Sequence, residues 1–147
     1  MLLSKSFGYA LRGVLYVALR QESAKRVQIQ EMAQKLSVPQ HFLAKIMKQL
    51  ADEGILKSTK GPYGGFSLTE KTLQTPIIEI VRITDGTGLI DNCILSFRKC
   101  NAKNPCPLHK KMAKLKDGFV QSLSGATIGD LIDDKNPEFV KSISTLL

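Results

Sequence analysis

Apolar residues recur along this chain at intervals of three and four, and the period changes where a different element is required. Tyr9, Leu11, Val14, Leu15, Ala18 and Leu19 follow helical spacing, so Ser6–Gln21 is predicted to be an amphipathic helix. After a charged turn over Glu22–Arg26, Ile29, Met32, Ala33 and Leu36 mark a short second helix. Ser37-Val38-Pro39 breaks the pattern, with Pro39 suited to the first turn of a new helix. Leu43, Ile46, Met47 and Leu50 carry that third helix to Gly54, a natural C-terminal stop. Two short helices joined tightly, with small Ala33 where they must approach, predict a helix-turn-helix; a plain helical hairpin is the alternative.

Ile55–Lys60 then reads as a strand and Phe66–Thr69 as its return. Between them Gly61-Pro62-Tyr63-Gly64-Gly65 places three glycines and a proline in five residues, which demands a tight reversal. A hairpin directly after a helix-turn-helix is a wing. Thr75–Thr84 is a short apolar helix expected to pack under this module, and Asp85–Gly88 opens a loop that runs through the cysteines. From Pro107 the chain turns helical: Leu108, Met112, Leu115, Phe119 and Leu123 form one stripe resembling a coiled-coil seam, with Gly118 its weak point. Such a stripe needs a partner, and a homodimer is the preferred reading over packing within the chain. Thr127–Asp134 is predicted to be a short acidic helix, with Asp133 and Asp134 beginning a less ordered tail. The expected fold is mainly α with a small β-hairpin wing. Residues 1–84 would be the DNA-binding domain, 85–106 the cysteine loop and 107–147 the dimerisation helix and C-terminal segment.

Charge sharpens this picture. Residues 1–66 hold ten Lys/Arg and four Asp/Glu, whereas residues 67–147 hold eleven and nine. The basic excess therefore lies with the winged module, where it favours a polyanion such as duplex DNA. No uncharged run is long enough to span a membrane, and Lys5, Arg12 and Arg20 interrupt the apolar N-terminal stretch, so a cytoplasmic protein is expected. With two histidines, neither beside a plausible nucleophile, no constellation for acid–base or nucleophilic work is found and an enzyme is not expected.

The remaining chemistry lies in Cys93, Cys100, Cys106 and His109. In a reducing compartment, clustered thiols bind metals or do redox work more often than they form structural disulfides. Four ligands are needed for a tetrahedral zinc or a binuclear iron–sulfur cluster. The cysteines supply three and His109 is the most obvious fourth, with Asp91, water or another acidic group as substitutes. Zinc favours a tight knuckle with two residues between cysteines, and none is present. Gaps of six and five suit a loop wrapped around a larger object, which favours a cluster over zinc or metal-free redox thiols. Nearby Arg98, Lys99, Lys103, Lys110 and Lys111 suit the negative charge of a thiolate-bound cluster.

These residues resemble the IscR/NsrR type of winged-helix regulators, which sense through an iron–sulfur cluster. The likeness rests on Leu3-Ser4-Lys5 with Tyr9-Ala10-Leu11-Arg12, on Val38-Pro39 with Phe42–Ile46, on Gly54–Leu68 and on the loop ending in Cys106 and His109, from residue 3 to about residue 132. The resemblance implies a homodimer crossed through the long helix, a palindromic operator, and repression or activation set by the cluster. His109 matches the histidine ligand of the assembly-regulator branch, which implies [2Fe-2S] rather than [4Fe-4S] or zinc. Gly8 stands where the nitric-oxide-sensing branch has an acidic ligand, Ala44 where the assembly branch has an acidic specificity residue, and the first cysteine gap is six rather than five. The DNA contacts expected are Gln40, His41, Lys45 and Lys48 on the third helix and Lys57, Ser58, Lys60, Gly61, Tyr63 and Gly64 in the wing. A regulator using the cysteines as a zinc site or thiol switch is the alternative, and an adaptor that binds protein rather than DNA is a third.

Overall fold

A computed structural model describes residues 2–21, 24–95, 98–133 and 137–146. The first helix, α1 (Lys5–Leu19), starts at Ser4, whose Oγ accepts the Phe7 N–H at 3.1 Å. It buries Ala10, Val14, Leu15, Tyr16 and Val17 against α2 (Ile29–Leu36) and α3 (Gln40–Asp52). Gly13 sets the closeness of that packing, because a Cβ there would stand 2.6 Å from Met47 Sδ. The turn between α2 and α3 puts Ser37 in the left-handed region (φ 54°), and the Val38 N–H returns to the Ala33 carbonyl at 3.0 Å. Pro39 precedes α3 rather than occupying its first turn, and its carbonyl accepts the Leu43 N–H. Gly54 (φ 77°) closes α3, with the Ile55 N–H bonded to the Leu50 carbonyl, an arrangement that favours glycine.

The wing is an antiparallel pair, β1 (Leu56–Thr59) and β2 (Gly65–Leu68), in register Leu56 to Leu68 and Thr59 to Gly65. Val27 adds an edge that the sequence pattern did not reveal. Its N–H and carbonyl both bond to Phe66 at 2.8 Å, so the segment before α2 lies along the back of the hairpin.

A 3-10 turn (Thr72–Gln74) leads to α4 (Ile77–Asp85), which starts two residues later than the periodicity suggested because Thr75 and Pro76 pair with residues 126–128. Ile77, Ile78, Ile80 and Val81 bury this helix under the winged module, as expected. The segment read as open loop contains a single helical turn, α5 (Gly88–Asp91). The long helix α6 spans His109–Ser124 and starts at His109 rather than Pro107, because the His109 N–H closes a turn onto the Cys106 carbonyl. The acidic helix shrinks to one turn, α7 (Ile128–Leu131), fixed by reciprocal Thr127 and Asp130 bonds. The expectation of a less ordered tail fails for residues 137–146, which form α8 (Pro137–Leu146); Asp134 lies outside the described residues.

No residue of α6 is buried, and Leu115, on the predicted stripe, is 64% exposed. Leu2, Ile90, Ile94, Met112, Leu115 and Phe119 line an almost wholly apolar cleft of about 280 Å³. Among the described residues no helix is long and apolar enough to cross a membrane.

Candidate nucleic-acid interface and metal centre

Helix α3 carries Gln40, His41, Lys45 and Lys48 as exposed residues while its opposite side, Leu43, Ile46, Met47 and Leu50, is buried. The helix therefore presents a polar, basic face, held in place by its apolar one. Phe42 shares the exposed side at 41% and meets Tyr9 edge-on at 5.9 Å, with the Arg12 guanidinium 5.2 Å from the Tyr9 ring centre. In the wing Lys57, Ser58, Lys60 and Gly61 are exposed, and Tyr63 at the tip is 85% exposed. Gly64 is different. It is buried, and a Cβ there would fall 2.1 Å from the Thr59 carbonyl oxygen, so its role is to let the turn close.

A groove of about 340 Å³ runs between wing and helices, lined by Gln28, Gln30, Gln40, Ser58, Thr59 and Gly61 among others. Gln28 and Gln30 were not foreseen as site residues. Their signal was the polar alternation Gln28-Ile29-Gln30 at a helix start, which also reads as ordinary solvated surface. Gln28 Nε2 donates to the Pro62 carbonyl at 3.0 Å and Arg26 donates to the Tyr63 carbonyl at 3.4 Å, so the wing tip is tied to the segment before α2. A short network also ties α1 to α2: Tyr16 donates to Glu31 at 2.6 Å, and Arg20 pairs with the same oxygen at 3.1 Å. Burial, then the Glu31 hydrogen bond and charge, push the Tyr16 phenol up to about 12, against a weaker pull from Arg20.

The cysteine loop doubles back on itself. The Cys93 N–H bonds to the Arg98 carbonyl and the Cys100 N–H to the Asp91 carbonyl, with Asn92 opposite Lys99. Lys116 of α6 donates to the Asn92 carbonyl and Arg98 to the Asn104 carbonyl. Within this frame Cys93 is buried, Cys100 exposed and Cys106 intermediate. Cys100 Sγ lies 3.3 Å from His109 Nδ1. The Leu95 N–H, the Cys106 thiol and the positive charges of Arg98 and Lys116 hold the Cys93 thiol below its usual range, against an opposing effect of burial.

Of the four donors, Cys100 and His109 thus come into contact. Among the described residues no three His, Cys, Asp or Glu side chains converge on one point, whereas a structural zinc ion draws four ligands to about 2.0–2.3 Å. A binuclear cluster takes two protein ligands on each iron, and sulfur-rich donors with one imidazole suit that chemistry.

The loop is also attached to the winged half. Ser4 donates its backbone N–H to Asp85 Oδ2 at 2.8 Å and its hydroxyl to Oδ1, and Thr84 adds a third bond at 2.7 Å. These bonds outweigh burial and hold the Asp85 carboxyl below the usual carboxylate range. Asp85 ends α4, and at Gly86 (φ 70°) the chain departs toward α5 and the cysteines.

Comparison with known proteins places these features. The family described as Rrf2, iron-dependent transcriptional regulator, matches residues 3–134. A protein of Aquifex aeolicus with the provisional name HTH-type transcriptional regulator is 36% identical over 135 residues, covering 90% of this chain and 92% of its own. The HTH-type transcriptional regulator NsrR of Geobacillus kaustophilus is 27% identical and covers 86% of each chain. Two solved structures share the fold: CymR, the global cysteine regulator of B. subtilis, has a TM-score of 0.72 at 20% identity over 88% of this chain and 94% of its own. IscR of T. potens has a TM-score of 0.71 at 17% identity over 92% and 89%.

Proposed function

The chain belongs to the Rrf2 family of winged-helix transcriptional regulators, and from that premise we propose that it is a cytoplasmic, homodimeric repressor whose hold on a palindromic operator is set by an iron–sulfur cluster. Cys93, Cys100, Cys106 and His109 hold the cluster, of the [2Fe-2S] type. Helix α3 lies in the major groove through Gln40, His41, Lys45 and Lys48, and the wing meets phosphates or the minor groove through Lys57, Ser58, Lys60, Gly61 and Tyr63. The stripe on α6 pairs with its copy in a second subunit, setting the two α3 helices about 34 Å apart. Residues 1–84, 85–106 and 107–147 divide these tasks. The bound cluster supplies a redox-sensitive crosslink within the loop, and the Ser4–Asp85 contact passes the loop's state to the start of α1.

The observation that carries this reading is the contact of Cys100 Sγ with His109 Nδ1 at 3.3 Å at the head of α6, in a loop that also holds the free thiols of Cys93 and Cys106. The test is anaerobic reconstitution with iron and sulfide, quantification of both, and operator binding measured with and without the cluster. Iron and acid-labile sulfide in equal amounts, with binding that differs between the two forms, is the expected result. Equal binding by both forms would leave a DNA reader without a sensor. A second reading, a thiol switch, draws on the three free cysteines in one loop and predicts reversible disulfide formation without iron. Zinc without sulfide would instead mark a structural zinc site.

A further inference from the structure

The groove of about 340 Å³ between the wing and the starts of α2 and α3 is uncharged: among the described residues no lysine, arginine, aspartate or glutamate lines it. Gln40 faces it from α3, Ser58 and Thr59 from β1, and Gln30 from the first turn of α2. The Gln28 amide nitrogen is already committed to the Pro62 carbonyl. The exposed side chains of Gln30 and Ser58, by contrast, make no hydrogen bond among the described residues. These idle neutral donors sit between two basic surfaces, since Lys57 and Lys60 are exposed on the hairpin and Lys45 and Lys48 on α3.

Duplex geometry says what such a groove meets. The major and minor grooves of DNA are separated by a sugar-phosphate strand. A protein that puts α3 in the major groove and its wing tip at the minor groove must lodge that strand between the two. We propose that the groove seats this strand and that the Gln30 amide and the Ser58 hydroxyl donate to its phosphates. The inference rests on the DNA-binding reading above and deepens it by adding α2 to the contact surface. Glutamine and serine commonly donate to phosphate oxygens. Neutral donors displace no counterions, so this contact contributes affinity that salt does not remove, whereas the lysines supply the part that it does. Gln30 is thereby a positioning residue, which holds α3 in register on the duplex without reading a base.

The test uses the full chain, a duplex that wild type selects from a random-sequence library, and a mixed-sequence duplex of the same length. Anisotropy titrations across salt concentrations supply the affinities. Gln30→Ala should weaken binding to both duplexes by about tenfold and leave the salt slope unchanged. Gln30→Lys sets a cation against the phosphates and should strengthen binding and steepen the slope by about 1. The same charge change at exposed Gln121 of α6 should do neither. Gln30→Glu should weaken binding more than Gln30→Ala; an acid in the first turn favours a helix, so unfolding would not account for that loss. In the selected duplex, one uncharged methylphosphonate linkage should weaken wild type and leave Gln30→Ala no weaker than before. Wild-type affinity in Gln30→Ala with an unchanged slope in Gln30→Lys would overturn the seat and leave the DNA-binding reading intact. Loss confined to the selected duplex would overturn it too, making Gln30 a reader of bases. Failure of wild type to bind either duplex would remove both.

Discussion

Removal of the Asp85 carboxylate is the most direct test of how the cysteine loop is attached. Asp85→Ala deletes the acceptor for the Ser4 N–H, the Ser4 hydroxyl and the Thr84 hydroxyl at once. Hydrogen bonds to a charged group contribute about 1.5–3 kcal/mol each when well shielded, and less at a partly exposed site. Ser4 is exposed and Asp85 partly so, and a total of about 2 kcal/mol is the reasonable expectation. Ser4→Ala removes one of these bonds together with the cap on the Phe7 N–H, whose loss costs about 1 kcal/mol by itself. The double variant should therefore be more stable than the sum of the single changes implies, by about 1 kcal/mol of coupling. The sign with pH follows from the lowered folded-state carboxyl. Its stabilisation is complete above the unfolded value of about 3.9 and is lost as pH falls through the lower, folded value, where wild type and Asp85→Ala converge. Urea unfolding at neutral pH and at steps toward pH 3.5 measures all of this. A difference below about 0.5 kcal/mol at pH 7, within the range of ordinary surface substitutions, would refute the latch.

Three further outcomes follow from the same geometry. Lys60→Ala should weaken DNA binding at every sequence and reduce the salt slope by about 1, measured by anisotropy titration across salt concentrations. Tyr16 should ionise only near pH 12, later than an unperturbed phenol, and Glu31→Gln should bring it down in an ultraviolet titration. Because its folded value is raised, the associated stabilisation is complete below about pH 10 and is lost as pH rises toward 12. If α6 pairs as proposed, Leu115→Lys should give a monomer by sedimentation equilibrium where wild type is a dimer, since a charge on that exposed apolar position has no counterpart in a symmetric partner.

The elements most legible in the sequence were those specified by near neighbours. α1, α2 and α3 are written in their apolar periods, and the hairpin in Gly61-Pro62 and the glycines that follow. Val27 was not legible, because one residue bonding to Phe66 leaves no repeat to read. α8 was missed although Phe139, Val140 and Ile143 carry helical spacing, since the acidic pair before it suggested a solvated end. The candidate site divides in the same way. The exposed side of α3 follows from its buried one, whereas the Ser4–Asp85 bonds join residues 81 apart and no local pattern announces them. The contact of His109 with Cys100 depends on how the loop doubles back, and no local spacing announces it.

The strap of Arg26, Val27 and Gln28 along the back of the wing has a kinetic consequence. Two main-chain bonds to Phe66 and side-chain bonds to the Pro62 and Tyr63 carbonyls fix the hairpin before any duplex arrives. A preorganised hairpin loses little conformational freedom on docking, so less of the contact energy is consumed in ordering it. Encounter then needs no slow folding step, and its speed is governed by long-range attraction between phosphates and the cations of the first half.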